Sequence, residues 1–176
     1  LNGLFLRQGR YVEPGKRGEV LASEAFVAAN HLHVGTETFG FTGMTVLKLA
    51  EQKRLSLDDT LQKFFPALPY KGITVKMLLN HRSGLPNYFY FMDSVWDKHK
   101  KATNEDVLNF MIEHQPKADA LPNRIYHYCN TNFMLLALIV ERITHQPFPR
   151  YMKDSVFTPL GLKNTFVFSI ADTLNY

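Results

Sequence analysis

An α+β chain in which helices dominate is predicted by three features of the sequence. Short β-prone runs are confined to the first forty residues, apolar residues take up helical spacing from Phe41 onward, and one strongly apolar stretch runs from Thr131 to about Thr144. A block of strands followed by a block of helices is the order of an α+β arrangement, not of an alternating one.

The N-terminal runs Leu4-Phe5-Leu6, Glu19-Val-Leu-Ala22 and Ala25-Phe-Val27 are broken by Gly9, Pro14-Gly15 and Gly18, which predicts a hairpin or two edge strands. Phe41, Met44, Leu47, Leu49 and Ala50 then recur at helical spacing, and this helix is expected to end near Lys53-Arg54. With Val46 added, apolar residues occupy nearly its whole circumference, so the helix is expected to be buried. Leu55 to Asp59 reads as a turn. Thr74 can cap a short helix from Val75 to Asn80, cut off by Arg82-Ser-Gly84 and Pro86.

Tyr88 to Lys101 is aromatic and irregular and is expected to form a long excursion loop. Thr103-Asn-Glu-Asp106 is a capping-box-like start for a helix to about His114, closed by Pro116. A loop with Pro122 leads to Tyr126-His-Tyr-Cys-Asn130 and the apolar helix from Thr131, with Pro147 beyond its end. Leu135, Leu136, Leu138, Ile139 and Val140 place that helix in the core. Phe148 to Phe157 gives one more helix, stopped by Pro159 and Gly161. Internal repeats, low-complexity runs and linkers are lacking, so one domain or part of one is expected.

Composition narrows the function classes. The 176 residues are 45% hydrophobic and 20% charged, the balance of a globular domain. No stretch approaches the ~18 uncharged apolar residues of a membrane span. The net charge of +4 is scattered, densest at Lys53-Arg54 and Lys100-Lys101, and lacks the basic stripe of a nucleic-acid groove. The single cysteine, Cys129, forms no internal disulfide, and no Cys/His spacing suits zinc. Neither a metal nor another cofactor is expected. His31 and His33 stand at strand spacing but lack a third ligand. The chain starts at Leu1 without a signal-peptide apolar core and stops at Tyr176 without a terminating pattern, so it is expected to be an excerpt of a longer protein.

Three segments carry a resemblance: Phe41-Thr-Gly-Met-Thr-Val-Leu-Lys-Leu-Ala50 continuing to Asp59, Ile73-Thr-Val-Lys-Met-Leu-Leu-Asn-His-Arg-Ser-Gly-Leu-Pro86, and Tyr128-Cys-Asn-Thr-Asn-Phe-Met-Leu-Leu-Ala137. In order and spacing they resemble the serine β-lactamase and penicillin-binding-protein-like hydrolases, the group that holds class C β-lactamases, D-Ala-D-Ala carboxypeptidases and related esterases. Pro159-Leu-Gly-Leu-Lys-Asn-Thr165 matches that group's next landmark. The likeness runs from about Phe41 to Phe168. It implies a β-lactamase/transpeptidase-like fold, an antiparallel sheet flanked by helices. Residues 1–176 would then be a single incomplete domain, with poorly matched N-terminal strands over 1–40 and the helical portion over 41–168.

The resemblance also implies acyl transfer to a serine in Ser-x-x-Lys, aided by Tyr-x-Asn and a later Lys/His-x-Gly strand. The i,i+3 spacing puts serine and lysine on one helix face, where the ammonium eases deprotonation of the hydroxyl. The nucleophile position falls on Thr36 and the lysine position on Phe39. Threonine keeps a hydroxyl but its β-methyl crowds attack, and phenylalanine carries no charge. Lys48 is twelve residues from Thr36, about 18 Å along one helix. The second motif stands as Tyr128-Cys129-Asn130: by resemblance Tyr128 is general base or proton relay and Asn130 orients substrate. Read from the residues alone, Tyr128 packs and Asn130 caps the following helix. Tyr128 is expected to face the same cavity as Thr36, and the third motif has no counterpart. Cys129 is expected to point the other way as a buried bystander.

Ser83 in His81-Arg-Ser83-Gly lacks the strand-turn-helix setting of a nucleophile elbow and reads as a structural landmark near the site. The aromatic run Tyr88-Phe-Tyr-Phe91 with Trp96 either lines a substrate pocket or walls off the core. Two functions follow. One is a serine-hydrolase-family enzyme acting by acyl transfer on a peptide, β-lactam or ester carbonyl, with a degenerate nucleophile motif that leaves the chain impaired. The other is a non-catalytic relative, a binding or regulatory module that keeps the groove. The expected partner is a small-molecule or peptide-like acyl substrate, with no nucleic acid. Resemblance alone implies a periplasmic or other extracytoplasmic location.

Overall fold

The computed structural model describes residues 40–97 and 102–167. The expected N-terminal strands, Thr36, Phe39 and the His31/His33 pair lie outside the described residues. One compact unit spans Thr42–Phe148, and the described part of a second consists of residues 40–41 and 149–167.

Helix α1, Phe41–Glu51, starts where the spacing predicts and buries Thr45, Val46 and Leu49 on one stripe. The expectation of a helix buried all round is corrected, because Met44 and Leu47 are exposed. Apolar residues around the circumference did not distinguish the stripe that meets neighbours from the side that does not. Gly43 marks the packed side: a Cβ there would meet Leu79 Cδ2 at 3.6 Å and Phe133 Cε1 at 4.0 Å. Beyond α1, Lys53 adopts a left-handed φ of 58° and the amide of Arg54 reaches back to the Leu49 carbonyl. Leu55 to Asp59 forms the expected turn, in which the Asp59 carboxylate accepts the Ser56 N–H at 2.8 Å.

Helix α2, Leu61–Phe64, and helix α3, Val75–Leu79, are joined by a single antiparallel bridge between Thr60 and Thr74. Thr74 caps α3 as expected, its hydroxyl accepting from the Met77 amide. Among the described residues no longer strand occurs.

Helix α4, Tyr88–Val95, replaces the excursion loop expected over that stretch. Its residues are poor helix formers, and the cause lies in capping. Asn87 accepts the Phe89 N–H, and the Thr131 hydroxyl accepts the Tyr88 N–H at 2.9 Å from forty-three positions away. Helix α5, Asn104–His114, has the full capping box between Thr103 and Asp106 and ends in a left-handed Gln115. It buries Val107, Leu108 and Met111.

Helix α6, Asn130–Thr144, is the centre of the unit: α3, α4 and α5 all pack on it, and every residue from Met134 to Val140 is buried. Burying each such large apolar side chain contributes roughly 1.5 to 3 kcal/mol, which holds the start of α6 on rigid ground. Helix α7, Phe148–Met152, is followed by a π-helical turn, Lys153–Phe157, where one continuous helix was expected. The Thr158 amide bonds the Lys153 carbonyl five residues back, the wide-turn pattern.

Candidate functional site

After α3 the chain turns sharply at His81, which has a left-handed φ of 53°. The loop from His81 to Asn87 is then stitched to the segment that leads into α6. The His81 carbonyl accepts the His127 N–H at 2.9 Å, and the His81 ring nitrogen Nδ1 accepts the Cys129 N–H at 3.2 Å. The side-chain nitrogen of Asn132 reaches the same Nδ1 at 3.2 Å. With Nδ1 accepting, the neutral ring carries its proton on Nε2. The other end of the Asn132 amide accepts from the Ser83 hydroxyl at 2.6 Å, so this fully buried asparagine uses both of its functions.

Further bonds fix the same two segments. Arg82 donates from Nε to the Asn123 side chain and from Nη2 to the Asn123 carbonyl, both at 2.8 Å. Gly84, at φ 72°, is the one residue this contact tolerates, because a Cβ would lie 2.1 Å from the Ala120 carbonyl oxygen. The Thr131 hydroxyl donates to the Pro86 carbonyl at 2.7 Å while accepting from Tyr88.

This frame presents Tyr128 and Asn130. Tyr128 is 59% exposed, and its hydroxyl donates to Asn130 Oδ1 at 3.3 Å. Its ring lies 4.6 Å from the His81 ring, which also stacks on Phe133 at 5.1 Å. Cys129 points the opposite way as expected, buried with its thiol toward the Leu85 carbonyl. Burial pushes the Cys129 thiol pKa up, away from nucleophilic use. Burial likewise holds His81 below the ordinary imidazole pKa, with the nearby His127 acting in the same direction. Tyr88 is raised by burial, with the Tyr128 phenol adding to it.

The two sequence-predicted residues Tyr128 and Asn130 are therefore brought together, while Thr36, the third, lies outside the described residues. Asn130 is the first helical residue rather than the cap, which is Cys129, and its side chain serves Tyr128 instead. Ser83 is sealed at 2% exposure and spends its hydroxyl on Asn132 and the Leu85 N–H, as a structural landmark does. Sequence reasoning missed His81 and Asn132 as the pieces that hold Tyr128 in place. Their neighbours in the motifs were visible, but a bond across 51 positions has no local signal.

Residues 40–171, three quarters of the chain, match the family model for β-lactamase. The chain belongs to the β-lactamase family. This member is 34% identical over 129 residues to "Penicillin-binding protein 4*" of Bacillus subtilis (strain 168), a match covering 73% of the chain and 29% of that protein. Among solved structures it is similar to the octameric penicillin-binding protein homologue from Pyrococcus abyssi, at 30% identity and a TM-score of 0.63. That match covers 77% of this chain and 32% of the other. The D-amino acid amidase from Ochrobactrum anthropi SV3, complexed with D-phenylalanine, is 30% identical with a TM-score of 0.62, covering 72% and 36%. The chain thus spans about a third of the length of these relatives, and it shares the β-lactamase-like fold and serine hydrolase ancestry that its motifs resemble. Among its described residues no helix is long and apolar enough to cross a membrane.

Proposed function

We propose that the chain forms part of an acyl-transfer site of the serine-hydrolase type, acting on a peptide, β-lactam or ester carbonyl. The observation that carries this reading is the exposed Tyr128 hydroxyl, held 3.3 Å from Asn130 Oδ1 at the rigid start of α6. In this reading Tyr128 acts as base in its phenolate form, its own phenolic proton having gone to solvent, and the hydroxyl oxygen of Thr36 attacks the carbonyl carbon as its proton passes to the Tyr128 oxygen. The carbonyl π electrons move to oxygen. The proton then returns from Tyr128 to the leaving nitrogen or oxygen as the tetrahedral centre collapses to an acyl-enzyme. Asn130 orients the substrate through its amide nitrogen, since its oxygen faces Tyr128.

Phe39 supplies no ammonium to stabilise a phenolate at Tyr128, so the centre is weak. The absent charge favours a second reading, a non-catalytic module that binds an acyl compound in the same groove without reacting. The wider frame belongs to the proposal too. In this reading the chain works outside the cytoplasm.

The test is turnover of nitrocefin and a p-nitrophenyl ester by the purified chain beside its Tyr128→Phe variant. Slow turnover that falls on loss of the hydroxyl supports acyl transfer. Saturable β-lactam binding without turnover supports the second reading, and neither binding nor turnover overturns both.

A further inference from the structure

The buried polar chain behind Tyr128 admits one protonation form of His81. Ser83 Oγ accepts the Leu85 N–H at 3.1 Å, so its own proton goes to Asn132 Oδ1 at 2.6 Å. With its oxygen taken by Ser83, the Asn132 amide turns its NH2 end to His81 Nδ1, and an NH2 group only donates. The Cys129 N–H points at the same atom from 3.2 Å. Nδ1 therefore receives two donors, and the proton of the neutral ring sits on Nε2. Ser83 and Asn132 are sealed from solvent, where an unmet donor or acceptor is costly.

A second proton has to enter at Nδ1, against two N–H groups. Turning the Asn132 amide over meets that proton but leaves the sealed Ser83 hydroxyl without its acceptor, and the Cys129 N–H still opposes it. Cys129 lies between Tyr128 and Asn130, and the Tyr128 ring rests on the same imidazole at 4.6 Å. The charged ring thus conflicts with the backbone position that brings the Tyr128 hydroxyl within 3.3 Å of Asn130. Burial opposes the charge too, and the Cys129 backbone, which favours it, is the smaller influence; His127 adds to the opposition. The other titratable groups around the ring are Tyr126, Tyr128 and Asp119, the last paired with His127 at 3.5 Å. Arg82, next in sequence, is held by Asn123, and α6 meets the ring with Asn132 and Phe133, which do not titrate.

Resting on the acyl-transfer reading for its consequence, we infer that His81 is a positioning residue for the Tyr128–Asn130 pair that acts only as the neutral ring protonated on Nε2, so that a proton on Nδ1 releases the pair. Acid then disarms the site through a ring that touches neither substrate nor nucleophile.

The experiment follows the chain, labelled with 13C and 15N, by NMR from pH 8 to 5 without substrate. At pH 8 the long-range 1H–15N pattern of His81 should show Nε2 carrying the proton and Nδ1 bare. As the pH falls, the Tyr128 ring and Cys129 amide signals should shift with the midpoint of the His81 ring itself, below about pH 6.5. His81→Asn offers a side-chain oxygen near the place of Nδ1 and takes up no proton, so it should hold those signals at their pH 8 positions throughout. His81→Phe keeps a ring against Tyr128 without an acceptor and should show the acid positions already at pH 8. A neutral ring protonated on Nδ1, Tyr128 and Cys129 signals that stay put while His81 titrates, or the same shifts in His81→Asn, overturns the inference. Should either variant fail to fold, the tautomer and the shared midpoint in the unaltered chain decide it. The acyl-transfer reading fails separately: a chain that labels with no acylating probe at any pH removes that reading and leaves the coupling of His81 to Tyr128 standing.

Discussion

The Nδ1 atom of His81 lies 3.2 Å from the backbone nitrogen of Cys129, the residue between Tyr128 and Asn130. One imidazole from the end of α3 thus sets the backbone of the Tyr-x-Asn segment, and the same ring supports the Tyr128 phenol from behind. Replacing it by alanine leaves the Cys129 N–H and the Asn132 amide without an acceptor. An unsatisfied buried donor costs about 1 to 3 kcal/mol, so His81→Ala should lower the urea midpoint of unfolding by that equivalent. Ser83→Ala, which strips the other end of the Asn132 amide, should act in the same direction.

The pH dependence follows from the same ring. His81 is depressed by burial in the folded chain, whereas the unfolded ring takes up its proton near about pH 6.5. The unfolded state binds more protons between those two values, so stability is fully present above about pH 6.5 and is lost as pH falls through the depressed value. The titratable neighbours are His127, Asp119, Tyr126 and Tyr128, of which Asp119 already engages His127. Thermal unfolding from pH 8 to 5 should show this falling limb, and His81→Gln should flatten it.

Gly84 tests the stitching of the two segments. Its φ of 72° and an Ala120 carbonyl oxygen 2.1 Å from where a Cβ would sit leave no room for a methyl. Gly84→Ala should cost well over about 1 kcal/mol, with loss of folding as the extreme. Gly72, at φ 74° with nothing within 4 Å of a Cβ, is the control: its alanine variant should show only the backbone penalty of about 1 kcal/mol. Equal urea midpoints for the two variants would contradict the contact.

Cys129 gives a chemical check on burial. The residue is 1% exposed, and its thiol faces the Leu85 carbonyl and has a raised pKa, so thiolate is scarce. Iodoacetamide should label the folded chain far more slowly than the urea-unfolded chain at pH 8, by mass analysis.

The legible parts of this fold were those with local causes. The capping box at Thr103 and Asp106, the cap at Thr74 and the apolar run of α6 all follow from residues within a few positions of each other. The part that misled was Tyr88–Val95, because the bond that starts this helix comes from Thr131. In α1 the pattern was right about the helix and wrong about its burial, since an apolar ring of side chains does not say which stripe meets a neighbour. At the site, Tyr128 and Asn130 stood out through their motif, while His81, Ser83 and Asn132 act together only once the chain has folded back across 48 or more positions.

The most direct test of the acyl-transfer reading is the rate at which a fluorophosphonate labels position 36, followed by peptide mass mapping, in the unaltered chain and in Tyr128→Phe. Slow labelling at Thr36 is expected, falling by about 100-fold or more when the Tyr128 hydroxyl is removed, the usual loss for a positioned base. An adduct on Ser83, or labelling of Thr36 at the same rate with and without the Tyr128 hydroxyl, would contradict it.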